Sequence, residues 1–173
     1  MKKVNVAEIP ELVWRSPRGK FVEYGRMVSQ ALGGDEKSFD LRTRHPFDVE
    51  IARVPAQTAF WPYHSHSAQW EFYIIISGNG TVRDEGGKTE VRTGDAFVFP
   101  PGEAHQIINT GEVDLVFYII ADSPIGDTCH YPDSGKWSVF QGKDRAVVKG
   151  EQANYFDGEE EANSAVRSEN ESI

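Results

Sequence analysis

Residues 64–78, HSHSAQWEFYIIISG, decide the fold and the candidate chemistry of this 173-residue chain. Two histidines, His64 and His66, stand two positions apart, so on a β-strand both side chains point to the same face. Two adjacent imidazoles repel each other when both are charged, and a shared cation is the simplest use for such a pair. The same segment places Glu71 in an apolar run, where a carboxylate is costly to bury unless it binds a metal.

A second segment, FPPGEAHQIIN at residues 99–109, joins a tight turn to a further histidine. The residues Pro100-Pro101-Gly102 predict a turn, and His105 begins the strand that follows it. His105 then offers a third imidazole to the same cation. A histidine on a strand is more often a satisfied core or surface group, so on these residues alone the metal site and an ordinary core remain two alternatives.

Short apolar runs separated by turn residues fill the chain from Phe47 to Ala121. Runs of strand length recur at roughly 8–12 residues, which is typical of an all-β sandwich or barrel. No helix of about 10–15 residues alternates with them, which argues against a parallel βαβ sheet. The predicted strands are 47–54, 70–77, 80–84, 89–92, 96–99, 105–109 and 115–120, with two later ones at 137–140 and 145–149.

The two segments together resemble the two sequence motifs of the cupin superfamily. The stretch between the motifs, residues 79–93, is short, and Thr58 stands where the first motif has a glycine. The chain is similar to small single-domain cupins of an uncharacterised subgroup, and the resemblance implies an all-β, cupin-type double-stranded β-helix, or jelly-roll barrel. The matching positions are His64, His66, Glu71 and Gly78 for the first motif, and Gly94, Pro100, Gly102, His105 and Asn109 for the second.

The resemblance also implies a metal site made of His64, His66, Glu71 and His105. Three imidazoles and one carboxylate suit one divalent transition-metal ion per chain, and Fe, Mn, Ni, Zn, Co and Cu are not distinguishable by ligand type. Four protein ligands leave one or two positions of an octahedral ion open, as a working site requires.

Three functions fit such a site. The first is a metal-dependent enzyme on a small organic substrate, of dioxygenase, isomerase or decarboxylase type. The alternative is a non-catalytic barrel that binds or senses a small molecule, and in the third the metal only stabilises the fold. Strand alternation points Tyr73 towards the metal as the candidate catalytic residue. The candidates for contact with a polar substrate are Arg53, Gln57, Gln69 and Gln106.

Composition divides the chain into three parts. Residues 1–45 form an irregular N-terminal extension, which we expect to pack on the barrel or to pair with it. Residues 46–150 form the barrel, with the motif core at 58–109. The net charge is −9, and residues 157–173 hold six acids and one base, so we expect 151–173 to be an acidic, disordered tail.

Charge and cysteine content restrict the partners and the compartment. Without a basic stripe the chain is not expected to bind nucleic acid, and without a long apolar run it is not expected to enter a membrane. The start of the sequence does not resemble a secretory signal. A single cysteine, Cys129, fits a cytoplasmic location. Cys129 precedes His130, a pair that is more often inert than metal-binding. An exposed barrel edge needs covering, so we expect a homodimer.

Overall fold

The structure, a computed structural model, describes residues 1–35, 37–40, 42–141 and 144–159. This part of the chain is built mostly of β-strands, so the predicted all-β class is confirmed. A 3-10 turn spans Val6–Glu8, and one helical turn, α1, spans Val28–Ala31. The strands are β1 (Leu12–Arg15), β2 (Val22–Met27), β3 (Phe47–Val54), β4 (Ser65–His66), β5 (Glu71–Ser77), β6 (Asn79–Asp84), β7 (Gly87–Arg92), β8 (Ala96–Phe99), β9 (Gln106–Ile108), β10 (Leu115–Asp122), β11 (Cys129–Tyr131), β12 (Lys136–Gln141) and β13 (Asp144–Lys149).

The strands form one large sheet and two smaller ones, and the strand pairs within them are antiparallel. The large sheet has the order β1-β2-β3-β10-β5-β8, and the smaller sheets have the orders β13-β12-β11-β4 and β7-β6-β9. One apolar core joins the large sheet to β6, β7 and β9. Its buried members are Ala52, Val54, Phe60, Tyr73, Ile75, Val82, Val91, Phe99, Ile107, Leu115, Phe117 and Ile119.

The inner face of the large sheet changes from apolar to polar along its strands. Because β10 pairs with both β3 and β5, side chains from the three strands form rows across this face. The rows at one end belong to the core, and those at the other end carry carboxyl groups. Three successive rows are Ile75–Phe117–Ala52, Tyr73–Ile119–Glu50 and Glu71–Ala121–Asp48.

The N-terminal extension adds two strands to the large sheet. β2 pairs with β3, and β1 pairs with β2, so this segment is more regular than its sequence indicated. All four residues of β1 are exposed, so the sequence has no buried alternation that would predict this edge strand. No helix in the described residues is long and apolar enough to cross a membrane.

The acidic tail predicted to be disordered lies mainly outside the described residues, which end at residue 159. The described part of the tail, residues 151–159, is exposed and includes turns at 155–159.

Two motif glycines lie where the backbone requires them. Gly78 has φ +84°, and a Cβ at this position would lie 2.5 Å from the carbonyl oxygen of Asp114. Gly102 has φ +89° and donates its N–H to the carbonyl of His66 at 2.8 Å. Left-handed backbone of this kind favours glycine. The second glycine therefore ties the turn before His105 to strand β4.

Candidate metal centre

The structure brings the four predicted ligand residues together at the polar end of the inner face. The ligand atoms of His64, His66 and Glu71 lie within 4.8 Å of one another. His105 joins them, because its Nε2 lies 2.8 Å from Glu71 Oε2 and its ring centroid lies 4.9 Å from that of His64. All four residues are buried. We call these four residues the ligand cluster.

Backbone pairing holds two of the histidines opposite each other. The N–H of His64 donates to the carbonyl of His105 at 3.1 Å, and the N–H of His105 donates to the carbonyl of His64 at 2.8 Å. This isolated antiparallel bridge joins the two motif segments. The imidazole of His105 also stacks on Phe99, with ring centroids 4.0 Å apart.

Hydrogen bonds orient two of the imidazoles. His64 Nδ1 lies 2.8 Å from the carbonyl oxygen of Pro62, and His105 Nδ1 lies 3.2 Å from the carbonyl oxygen of Glu103. A carbonyl oxygen can only accept, so Nδ1 carries the hydrogen in both rings and Nε2 is directed towards the ligand cluster. Metal-binding histidines are typically held in this way, by a hydrogen bond from the nitrogen that does not bind the metal.

Asp127 orients the third imidazole, and the sequence analysis did not identify it. His66 Nδ1 donates to Asp127 Oδ2 at 2.6 Å. The other carboxylate oxygen accepts from the backbone N–H of Ala68 at 2.8 Å and of Gln69 at 3.3 Å, and from the hydroxyl of Ser67 at 3.2 Å. Asp127 is therefore rigidly held, and it fixes which nitrogen of His66 faces the ligand cluster.

We expect Asp127→Asn to weaken metal binding about 10–100-fold while the barrel stays folded. Residues that accept a hydrogen bond from a metal-binding histidine typically contribute about this much to metal affinity. An amide can present its NH2 group to His66 and favour the wrong tautomer. Competition with a chelator of known affinity measures the change. The matched control is Asp133→Asn, since Asp133 pairs with Arg83 at 2.7 Å away from the ligand cluster. Equal affinity in wild type and Asp127→Asn would contradict this role.

The charges of the ligand cluster shift its protonation. Burial raises the pKa of Glu71, but contacts with His105 and with the other imidazoles outweigh it and lower this pKa to about 2. Burial lowers the pKa of His64 to about 4. Burial also opposes the charge of His66, yet its bond to Asp127 and the nearby Cys129 and Glu71 raise its pKa to about 10. At neutral pH the metal-free cluster thus holds an ionised Glu71, a neutral His64 and a protonated His66.

The ligand cluster fits a cation by one direct observation. Glu71 Oε2 is buried and accepts no aligned hydrogen bond from the described residues, although His105 Nε2 lies only 2.8 Å away. With Nδ1 of His105 carrying its hydrogen, two electron pairs face each other unless a proton or a metal ion lies between them. Three imidazole nitrogens and one carboxylate form a donor set that suits transition metals.

Tyr73 lies beneath the ligand cluster. Its hydroxyl is 3.4 Å from His105 Nε2, and its ring stacks on Phe97 with centroids 5.3 Å apart. Burial and the nearby Glu71 charge raise the pKa of Tyr73 well above its usual value. Its hydroxyl therefore keeps its proton at neutral pH and is a hydrogen-bond donor to the cluster. The catalytic role of Tyr73 stays a prediction.

A cavity of about 250 Å³ opens beside the ligand cluster. His64, His66 and Glu71 form part of its wall. Its apolar wall includes Phe60, Trp61, Pro62 and Ile119, and its other polar wall includes Asp48, Glu50, Gln69, Tyr131 and Arg145. A cavity with an apolar wall on one part and convergent polar groups on another is typical of a small-molecule site.

Of the four polar residues predicted to contact a substrate, Gln69 lies on the cavity wall. Arg53 instead forms ion pairs at 2.8 Å with Glu11 and with Asp114. The amide of Gln57 donates to the carbonyls of Thr110 and Gly111, and that of Gln106 donates to the carbonyl of Trp61. These three side chains are held by the protein itself and are not among the residues that line the cavity.

Cys129 and His130 are consecutive residues of β11, so their side chains point to opposite faces of the strand. Cys129 is buried on the cavity wall, with Sγ 3.5 Å from His66 Nδ1. Its ligand atom, with those of His66 and Asp127, forms a second group within 4.8 Å. His130 stacks instead on Trp137, with ring centroids 4.2 Å apart. The two residues therefore do not act as a pair on one cation.

An antiparallel β-barrel that carries three imidazoles and a carboxylate beside an internal cavity defines a class of proteins. The family model described as "Cupin domain" matches residues 50–121 of this chain. The matched range contains all four residues of the ligand cluster, so this part of the chain is similar to a cupin domain.

Individual proteins are also similar to this chain in sequence or in fold. The oxalate-binding protein of Thermotoga maritima is 37% identical over 57 residues, which are 33% of this chain and 47% of that protein. The chain thus spans less than half the length of this relative. A proposed sugar phosphate isomerase from Acidithiobacillus ferrooxidans superposes on 83% of this chain and 87% of its own, with TM-score 0.71 and 21% identity. A sugar phosphate isomerase from Silicibacter pomeroyi covers 88% and 97%, with TM-score 0.70 and 18% identity. At these identities the two structures show the shared fold.

Proposed function

We propose that this chain binds one divalent transition-metal ion through His64, His66, Glu71 and His105 and acts on a small organic anion beside it. The observation that carries the proposal is the convergence of the imidazole nitrogens on Glu71, whose buried Oε2 accepts no hydrogen bond from the described part of the chain. Fe, Mn, Ni, Zn, Co and Cu all suit these ligands. When bound, such an ion supplies a Lewis acid that polarises a substrate oxygen.

The protein supplies the remaining requirements of a site. The bonds from the imidazole Nδ1 atoms to Pro62, Glu103 and Asp127 fix the ring orientations before any ion binds. The burial of the four ligand residues lowers the local dielectric constant and strengthens electrostatic contacts among them. These residues therefore hold and orient a small molecule as well as a metal.

Arg145 supports an anion as the occupant of the cavity. It lies at the exposed rim, where its Nη1 is 3.7 Å from Cys129 Sγ and its guanidinium lies 5.2 Å from the ring centroid of Phe140. A guanidinium is suited to bind a carboxylate through two parallel hydrogen bonds. The relative from Thermotoga maritima is named for binding oxalate, a small dicarboxylate, and this name supports the same ligand class here.

Two candidate functions share this site. In the first, the chain is an enzyme of isomerase, decarboxylase or dioxygenase type. In the second, it binds a small carboxylate without converting it, and the name of the oxalate-binding relative favours this possibility. Product analysis after incubation with oxalate separates them for this ligand, because an enzyme consumes it and a binder returns it unchanged.

Elemental analysis and calorimetry test the proposed site. We expect about one transition-metal ion per purified chain, and oxalate binding that is present in the metal-loaded protein and lost after chelator treatment. The same chain reloaded with metal controls for damage by the chelator. A metal-free chain that cannot be loaded, or equal oxalate affinity with and without metal, would contradict the proposal.

We expect Arg145→Gln to weaken oxalate binding about 10–100-fold with metal content unchanged. Hydrogen bonds to charged groups contribute about 1.5–3 kcal/mol, and about 1.4 kcal/mol is tenfold in affinity. The matched control is Arg83→Gln, since Arg83 pairs with Asp133 at 2.7 Å and is not among the cavity-lining residues. Calorimetry with oxalate measures both variants. Unchanged affinity in Arg145→Gln would exclude Arg145 as the anion contact.

The homodimer and the cytoplasmic location stay predictions. For the dimer, the edge strand β1 of the large sheet exposes Leu12, Val13 and Trp14. Pairing of this edge with a second copy would cover those side chains and the unpaired backbone groups.

A further inference from the structure

Two carboxyl groups meet over Gly25, at the junction of β2 and β3. A Cβ on Gly25 would lie 2.5 Å from Glu23 Oε1, 2.6 Å from Glu50 Oε1 and 2.9 Å from the indole of Trp14. The two carboxyl oxygens and the indole thus occupy the space that a side chain at position 25 would fill. We call Glu23 and Glu50 the acid pair.

The Oε1 atoms of the acid pair are buried, although the Glu50 side chain as a whole is only half-buried. Glu23 is 2% exposed, and the Oε1 atom of neither glutamate accepts a hydrogen bond from the residues described. Among the residues that the structure describes, no ion pair includes either carboxyl group. Two neighbouring carboxylates cannot both ionise cheaply in such surroundings, so one of them retains a proton.

The surroundings place this proton on Glu50. Burial, then the contact with Glu23, raises the pKa of Glu50 well above its usual range. Burial also raises the pKa of Glu23, but there the contact with Glu50 acts in the opposite direction. Of the two carboxyl groups, Glu50 therefore holds the proton more readily, and Glu23 is its acceptor.

Glu50 also lies on the wall of the cavity that contains the ligand cluster. It shares a row of the large sheet with Ile119 and Tyr73, two strands away. Strands lie about 4.8 Å apart, so Glu50 and Tyr73 begin roughly 10 Å apart across the sheet. Ile119 lies between them in this row, and Glu50, Ile119 and three residues of the ligand cluster line the same cavity.

We infer that Glu50 is the general acid of this cavity and that Glu23 is its positioning residue. The inference rests on the proposed function, because it assumes a small molecule held beside the ligand cluster. When a bond of that molecule breaks and leaves an electron pair on carbon, the carbon takes the proton of Glu50. The O–H electron pair stays on the Glu50 carboxylate, which regains a proton from water in the cavity.

This assignment distinguishes among the reaction classes. Decarboxylation and isomerisation both leave a carbanion or enolate that must receive a proton, whereas insertion of dioxygen does not require a protein acid at that carbon. A protonated carboxyl group on the wall of the cavity that contains the ligand cluster thus favours the first two classes.

Other charged groups face Glu50 and contribute to its titration. Acids, cations and imidazoles line the cavities whose walls include Glu50, so a variant that changes one of them shifts the titration without abolishing it. The acids are Glu23, Asp48, Glu71 and Asp144, the cations are Lys37, Arg44 and Arg145, and the imidazoles are His64 and His66.

Infrared spectroscopy of the metal-loaded protein tests the inference. We expect a protonated carboxyl band at pH 7 in the wild type that is missing in Glu50→Gln and is shifted by saturating oxalate. In Glu23→Gln the midpoint of this band moves to lower pH by about 1–3 pH units, because a neighbouring negative charge has been removed. The matched control, Glu90→Gln on an exposed position of β7, leaves the band unchanged.

The outcomes separate the inference from the proposed function. A wild-type spectrum identical to that of Glu50→Gln at pH 7, or a band that bound oxalate does not move, would overturn the role of Glu50. A band that disappears in Glu50→Gln, in a protein that holds no metal and binds no oxalate by calorimetry, would contradict the proposed function and still support the proton on Glu50. Melting temperatures of the three variants confirm that each is folded.

Discussion

Replacing His105 with alanine is expected to remove the bound metal, or to weaken its binding by several orders of magnitude, while the barrel stays folded. The change removes one of three nitrogen donors to the metal. Its effect therefore exceeds the roughly 10–100-fold loss of metal affinity expected when a residue that only hydrogen-bonds to a metal-binding histidine is changed. The backbone bridge between His105 and His64 does not involve the imidazole and is retained. Elemental analysis of the purified variant and its circular dichroism spectrum measure the two parts of this prediction.

The matched control for this experiment is His130→Ala. His130 stacks on Trp137 and lies outside the ligand cluster, so we expect full metal content in this variant. The ring of His105 also packs on Phe99, so His105→Gln is a second variant that keeps more of the buried volume. Metal loss in His130→Ala with metal retained in both His105 variants would show that the ligand assignment is wrong.

Turn residues and strand alternation predicted much of the barrel. The predicted strands 47–54 and 96–99 coincide with β3 and β8. Both runs are flanked by turn-forming residues, or by histidine and proline, and these residues mark where each strand begins and ends. Alternation along β5 placed Glu71 and Tyr73 on one buried face, as observed. These features are local, so the order of side chains along the chain is enough to identify them.

The sequence did not predict elements that depend on pairing with distant strands. β4 has only two residues, and β11 has three, which is too short for a periodic pattern. β1 is fully exposed and carries no alternation. Each of these strands forms because a partner is present, and the partner is defined only by the tertiary fold.

The same reasoning explains which site residues were identified. His64 and His66 are close in sequence to Glu71, and the spacing of the second motif added His105. Asp127 bonds to His66 from 61 residues away, so no local spacing relates the two. Glu50 and Arg145 reach the cavity from strands whose sequences only indicate a sheet. Their roles depend on strand register and on the arrangement of the sheets.

Asn109, the last residue of the second motif, is expected to be a large contributor to stability. It is fully buried, and its side-chain amide donates to the carbonyls of Val54 at 2.7 Å and Val113 at 2.8 Å. Its Oδ1 accepts the N–H of Gly111 at 3.0 Å. Asn109→Ala would leave these three backbone groups without their partner. Since each unsatisfied buried group costs about 1–3 kcal/mol, we expect a loss of roughly 3 kcal/mol or more in the free energy of unfolding.

Denaturant unfolding of the wild type and of two alanine variants measures this effect. In the control, Asn5→Ala, the exposed side chain loses a single bond from the N–H of Ala7 at 3.1 Å, and water can replace it. We therefore expect a change below about 1 kcal/mol in the control. Because the bonds of Asn109 join β3 to the turn after β9, its loss also loosens the segment that carries His105. Equal stability of the two variants would mean that water satisfies the backbone groups around residue 109, and that this motif position does not hold the barrel closed.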